Sequence, residues 1–222
     1  MFIATLYHYY DALEVLCAHP RVDVNFLNRG MTAIKQAASY IEPRALQILL
    51  NNASLDVNAR DTCKDREGTA LMSALYYERV DNARLLLADR RMDPAAADGR
   101  GVTALHYAAK HCRVYMTALL LADGRFDPNV KDSANKTALH YAAERSVAMF
   151  RLLLTNGRIR VTPTNKNGLF MCAVKAGAMD VAQLLCQEYG VCPVGGIKWQ
   201  YTFGSYAVGR RALRPHILKQ GR

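Results

Sequence analysis

The sequence predicts an all-α fold in which similar helical pairs stack on one another as a solenoid. Three observations carry this expectation. The strings TAIKQAA, TALMSAL, TALHYAA and TALHYAA begin at Thr32, Thr69, Thr103 and Thr137, at spacings of 37, 34 and 34 residues. Farther along each unit comes an aliphatic triplet, from Ile48 to Leu50, Leu85 to Leu87, Leu119 to Leu121 and Leu152 to Leu154, and a last one at Leu184, Leu185 and Cys186. Between units lie strings such as LDVNARD, RMDPAAADGRG and RFDPNVKD, whose Pro, Gly, Asn and Asp stop any helix. Each unit therefore reads as helix, short turn, helix, extended loop.

Taken in order, residues 1–26 form a partial unit. MFIATLY aligns with the end of TALHYAA, and YDALEVLCAHPRVDVN reads as a second helix with its outgoing loop. With no polar capping unit ahead of them, Met1, Phe2, Ile3 and Leu6 are expected to expose apolar surface or to pack on something. About five repeats follow, to residue 190. Each threonine starts its first helix as an N-cap, and the alanine after it suits the first turn. Paired alanines (Ala37 and Ala38, Ala108 and Ala109, Ala142 and Ala143) remove bulk where helices approach, and the leucine triplets supply the large side chains opposite. Gly30, Gly68 and Gly101 precede the cap where a hairpin needs positive φ, and Asn135 takes that place in the fourth copy. The second full unit carries about three extra residues in TCKDREG, so its finger at residues 62–67, with Lys64 and Arg66, is expected to project. The fifth, NGLFMCAVKAGAMDVAQLLCQ, lacks one residue and the threonine, and its cap is expected to be weakest. Residues 191–222 read as a basic tail or a degenerate repeat.

Composition narrows the function classes. At 222 residues and 51% hydrophobic side chains the chain can bury a core. No apolar run reaches the ~18 residues a membrane-spanning helix needs. The six cysteines are scattered and fit buried thiols better than a disulfide framework, so a reducing intracellular setting, cytoplasmic or nuclear, is expected. The sequons at Asn52 and Asn135 are read as coincidence. The net charge is +10, and six of the 29 basic side chains but none of the 19 acidic ones lie in residues 191–222. Arg210, Arg211, Arg214 and Lys219 of that tail could attract nucleic acid or anionic membrane.

These residues resemble the ankyrin repeat. Asp98, Gly101, Thr103, Leu105, His106, Ala108, Ala109, Leu119, Leu120, Asp127 and Asn129 fall in its register within one unit, and the pattern recurs in tandem over residues 1–190. The family's proline after the threonine is alanine here (Ala33, Ala70, Ala104, Ala138), which forgoes the fixed φ of proline. The resemblance implies an ankyrin-type solenoid with short β-hairpin-like finger loops and a structural role for His106 and His140, bonded to neighbouring backbone. It also implies a concave groove, the family's usual recognition surface. In this register Gln36, Tyr40, Ser73, Tyr76, Tyr77, Tyr107, Lys110, His111, Tyr141, Glu144, Arg145 and Lys175 face the groove. The competing reading has Tyr107 and Tyr141 packing between neighbouring helices. Asn25, Asn58 and Asn129 stand at the finger asparagine that in some family members is hydroxylated by an oxygen-dependent enzyme, and a local turn bond explains them as well.

No catalytic constellation appears. His111 and Cys112 are adjacent, so on a helix they point apart, and HExxH, GxSxG, a Walker loop and a CxxC pair are all missing. The expectation is therefore a binding scaffold or adaptor that is not an enzyme and takes no metal, cofactor or small-molecule substrate, with another protein as its partner. The alternative is a tether in which the basic tail docks on a polyanion while the solenoid recruits a second protein.

Overall fold

The computed structural model describes residues 1–62 and 68–191. Within them run α1 (Phe2–Leu6), α2 (Tyr10–Ala18), α3 (Ala33–Ser39), α4 (Arg44–Leu50), α5 (Ala70–Tyr76), α6 (Val80–Ala88), α7 (Ala104–Lys110), α8 (Val114–Asp123), α9 (Ala138–Ala143), α10 (Val147–Thr155), α11 (Lys166–Ala176) and α12 (Met179–Tyr189). The odd-numbered helices, the first of each pair, pack in sequence α1, α3, α5, α7, α9, α11, and the second helices pack behind them. No strand forms among the described residues, and the fingers show only the isolated bridges Asn28 with Met31 and Ala97 with Thr103.

The repeat residues do what their chemistry allows. Thr32 and Thr69 accept the backbone N–H of Lys35 and Met72 at 3.3 and 3.5 Å, satisfying helix donors that have no partner inside the helix. Thr103 and Thr137 form complete capping boxes with His106 and His140, whose Nδ1 atoms accept the threonine N–H at 3.2 Å. That acceptance leaves the His106 proton on Nε2, which donates to the Lys136 carbonyl of the next unit at 3.1 Å. Alanines 37, 38, 74, 108, 109, 142 and 143 are fully buried, so first helices pack with almost no side chain between them. In α11 no side chain caps the helix, as its missing threonine predicts.

In the fingers, buried Asp98 and Asp132 collect backbone donors: Arg100 and Val102 for the first, Ala134 and Lys136 for the second, all at 2.8 to 2.9 Å. The turns need a left-handed residue, supplied by Gly101 at φ 74° and by Asn135 at φ 57°. Adjacent fingers join edge to edge, with Thr62 N–H donating to Gly30 and Ser133 N–H to Arg100 carbonyls, both at 2.9 Å.

Three features go beyond the repeat pattern. The finger asparagines do more than serve a local turn. Asn25 donates to the Ser54 carbonyl and accepts from Asp56 N–H, Asn58 does the same with Arg91 and Asp93, and Asn129 donates to Arg158. They bridge neighbouring units, and the local backbone donors are taken by Asp23, Asp56 and Asp127, the last also accepting from the Asn129 amide at 3.4 Å. Second, Met1 and Phe2 are half-buried, Met1 against the core, while Ile3 and Leu6 are exposed. Third, the turn after α3 is irregular. Three other first helices end at a left-handed non-glycine residue, His8, Glu78 or Cys112. The next N–H then reaches back into the helix: Tyr9 to Ala4, Arg79 to Ala74, Arg113 to Ala108. Residues 40–43 hold no left-handed residue and do not repeat this. The amide of Asn82, on α6 of the following unit and 0% exposed, donates instead to the carbonyls of Ala38 at 3.1 Å and Tyr40 at 2.8 Å, and more weakly to Ala37 at 3.3 Å. Arginines complete this mutual capping. Arg91 donates to Leu50 and Asn52, Arg125 to Leu87, and Arg158 to Gly124 and Phe126.

Candidate protein-binding face

The residues at the ends of the first helices and in the turns after them form a stripe across the units. Its centre is aromatic. Tyr76 lies 4.9 Å from Tyr77, 6.2 Å from Tyr107 and 5.1 Å from His111 by ring centroids, and Tyr107 lies 4.7 Å from His111. Two units thus share one aromatic cluster, in edge-on and tilted geometries that favour attraction between rings. Tyr76 and Tyr77 remain 41% and 42% exposed, whereas Tyr107 is half-buried, and burial pushes its hydroxyl pKa up. Burial also holds His111 below the usual imidazole range, with Lys110, Arg113 and Arg145 adding to the effect. Those cations come from α7, from the turn after it and from the turn after α9, so charge from two units converges on one ring. Arg113 pairs with Glu78 at 2.8 Å and donates to the Tyr76 carbonyl at 2.9 Å, which fixes the turn under the cluster.

One unit on, Tyr141 and Glu144 are engaged by their own finger. The Tyr141 hydroxyl donates to Asp132 at 2.5 Å, Lys136 sits 5.4 Å from the ring centre, and Lys136 pairs with Glu144 at 2.6 Å. Burial and the Asp132 carboxylate together raise the Tyr141 pKa well above its ordinary value. Burial alone would raise Asp132, but bonds from Tyr141, Lys136 and Ala134 outweigh it and hold the acid low. Arg145 and Lys175 are exposed and Lys110 is half-buried.

Toward the N-terminus, Tyr40 packs against His8 at 4.7 Å, and Tyr10 donates to Glu42 at 2.7 Å with Arg44 above its ring at 4.7 Å. His8, Tyr10, Tyr40, Ile41, Glu42 and Arg79 line an open cavity of about 490 Å³. Sequence reasoning placed Tyr40 here but missed His8, Tyr10 and Arg79. Shifting the second full unit back by 70 residues would have aligned Leu6, Tyr7 and His8 with Tyr76, Tyr77 and Glu78. Gln36 is buried rather than presented. Lys64 and Arg66, like the tail residues Arg210, Arg211, Arg214 and Lys219, lie outside the described residues.

Cys17, Cys112, Cys172 and Cys186 are free thiols. No helix among the described residues is long and apolar enough to cross a membrane. A family model described as ankyrin repeats (3 copies) matches residues 55–132 and again residues 117–194, which together cover more than half of the chain. Comparison with curated proteins finds no match.

Proposed function

Because the chain belongs to the ankyrin repeat family, a non-catalytic fold whose members bind proteins, we propose that it is a scaffold or adaptor gripping another protein in the groove of its first helices. The observation that carries this is the shared cluster of Tyr76, Tyr77, Tyr107 and His111, which offers large rings with polar tips already held in place. Such residues dominate binding because they bury much apolar area at small entropic cost. Lys110 and Arg145 flank the cluster, Tyr40 and the Tyr141–Glu144 network extend it to either side, and Lys64 and Arg66, outside the described residues, are included in the proposal on their place in the sequence alone. The free thiols fit a reducing intracellular compartment, cytoplasmic or nuclear.

The test is affinity capture from the cells that make the protein, followed by titration of the captured partner. At ~1 to 2 kcal/mol for each aromatic anchor, Tyr76→Ala with Tyr107→Ala weakens binding by about 30-fold or more. Deleting residues 192–222 leaves it unchanged. Unaltered affinity in the double variant removes the site from this groove. Loss on deleting the tail favours a tether.

A further inference from the structure

The groove is not uniform along its length. Ile3, Leu6 and Tyr7 of α1 and its turn stand where Ser73, Tyr76 and Tyr77 stand two units later, a register fixed by left-handed His8 (φ 58°) and Glu78 (φ 55°) at the same turn position. The next unit puts Tyr107, Lys110 and His111 there, anchored by Cys112 at φ 54°. Arg145 follows in the turn after α9, and Lys175 lies as far ahead of left-handed Gly177 as Lys110 does ahead of Cys112. One stripe therefore runs from exposed apolar and aromatic side chains (Ile3 66%, Tyr7 60%) to cations.

The carboxylates along this path do not cancel those cations. Glu42 accepts from Tyr10, Glu78 pairs with Arg113 and Glu144 with Lys136. Asp61, Asp98 and Asp132 are buried in their fingers. Among the described residues Lys110, Arg145 and Lys175 form no ion pair. We propose that the groove takes one extended segment of a protein partner with bipartite chemistry, its apolar and aromatic end on α1, α3 and α5 and its acidic end on Lys110, Arg145 and Lys175. This rests on the groove reading above and adds the orientation and chemistry of the occupant. Helices packed ~8 to 10 Å apart make five steps from α1 to α11 span ~40 to 50 Å. An extended chain at ~3.3 Å per residue covers that in roughly 15 residues. The open cavity beside Tyr40 and Ile41, also lined by His8, Glu42 and Arg79, is the natural seat for an aromatic anchor with a polar tip near the middle of the first half.

The experiment uses the full chain and a synthetic peptide of about 15 residues, a length set by that span. Leu and Tyr alternate with Ser in its first half, and Glu alternates with Gly in its second. A twin carries Gln for every Glu. Fluorescence polarisation at low and high salt reads affinity, and nitroxide labels at either peptide end read position through broadening of backbone amide signals. The expected result is at least tenfold tighter binding of the acidic peptide at low salt. That advantage falls below twofold in K110Q/R145Q/K175Q, whose substituted side chains are not in the core. A label at the acidic end broadens α7 to α11, and one at the apolar end broadens α1 to α5. Equal affinity for the two peptides, with both still perturbing Tyr76 and Tyr107, overturns the bipartite chemistry and leaves the groove reading standing. If neither peptide perturbs the groove, the groove reading fails as well. A single-stranded RNA that displaces the acidic peptide from Lys110 and Arg145 and binds more tightly overturns the choice of a protein segment.

Discussion

Asn82→Met separates two accounts of what holds the second unit to the first. Met116 and Met149 occupy the register position of Asn82 in the next two units, both buried, so a view based on repeat consensus and apolar burial expects the substitution to stabilise. The bonding pattern gives the opposite sign. Asn82 makes two short hydrogen bonds, 2.8 Å to the Tyr40 carbonyl and 3.1 Å to that of Ala38, in a turn whose own backbone does not supply the donors. Each neutral bond contributes about 1 kcal/mol net, and each buried carbonyl left without a donor costs about 1 to 3 kcal/mol. Some of that is offset by the methionine's own burial and by removal of the buried Asn82 Oδ1, which has no hydrogen-bond partner, so the expected loss is about 2 to 3 kcal/mol. For a chain of this size the loss lowers Tm by about 4 to 12 °C. Urea unfolding followed by circular dichroism, alongside a thermal scan, measures both. A variant as stable as the parent, or more so, would show that Asn82 is a polar residue tolerated in a core rather than the cap of another unit's helix, and the argument from the irregular turn would be wrong.

Other expectations follow from the same contacts. Arg91→Ala removes donors to the Leu50 and Asn52 carbonyls at 2.7 and 2.8 Å and should cost about 1 to 3 kcal/mol in chemical unfolding. Arg151→Ala, which removes an exposed pair with Glu188, should change stability by less than about 0.5 kcal/mol, and equal effects for the two would refute the distinction. Thr103→Ala opens the capping box with His106 and should cost about 1 kcal/mol; no loss would mean that His106 holds the helix start alone. The fold keeps His106 and His140 below the ordinary imidazole pKa of 6.5, chiefly by burial. The unfolded chain then binds more protons than the native one once the pH drops below that value, so stability declines from pH 7.5 to 5.5. A higher unfolding midpoint at pH 5.5 would mean the histidines are charged in the fold.

What the sequence reveals follows from what repeats. Thr32, Thr69, Thr103 and Thr137 recur because each unit must start a helix, and the paired alanines recur because each first helix must approach the next. Fold and register were therefore readable without coordinates, as was the stripe containing Tyr76, Tyr107 and Lys110. Bonds that cross between units were harder to see. Asn58 and Arg91 are near-periodic, but nothing in a single chain says that an asparagine in a turn reaches across 33 residues rather than two. Asn82 breaks the period altogether, since it supplies donors to carbonyls of a turn in a different unit. The internal engagement of Tyr141 was equally hidden. Tyr107 and Tyr141 hold the same repeat position, yet only Tyr141 donates to a finger carboxylate.

Photo-crosslinking tests the binding face most directly. Benzophenone side chains placed one at a time at Tyr77, Tyr107 and Arg145, and at Arg84 and Arg151 on the second helices, report which side of the stack touches the partner in the native cell. Adducts of a single protein from the first three positions, and none from the other two, are what a first-helix groove requires. Adducts confined to Arg84 and Arg151 would put the contact on the opposite side and contradict it.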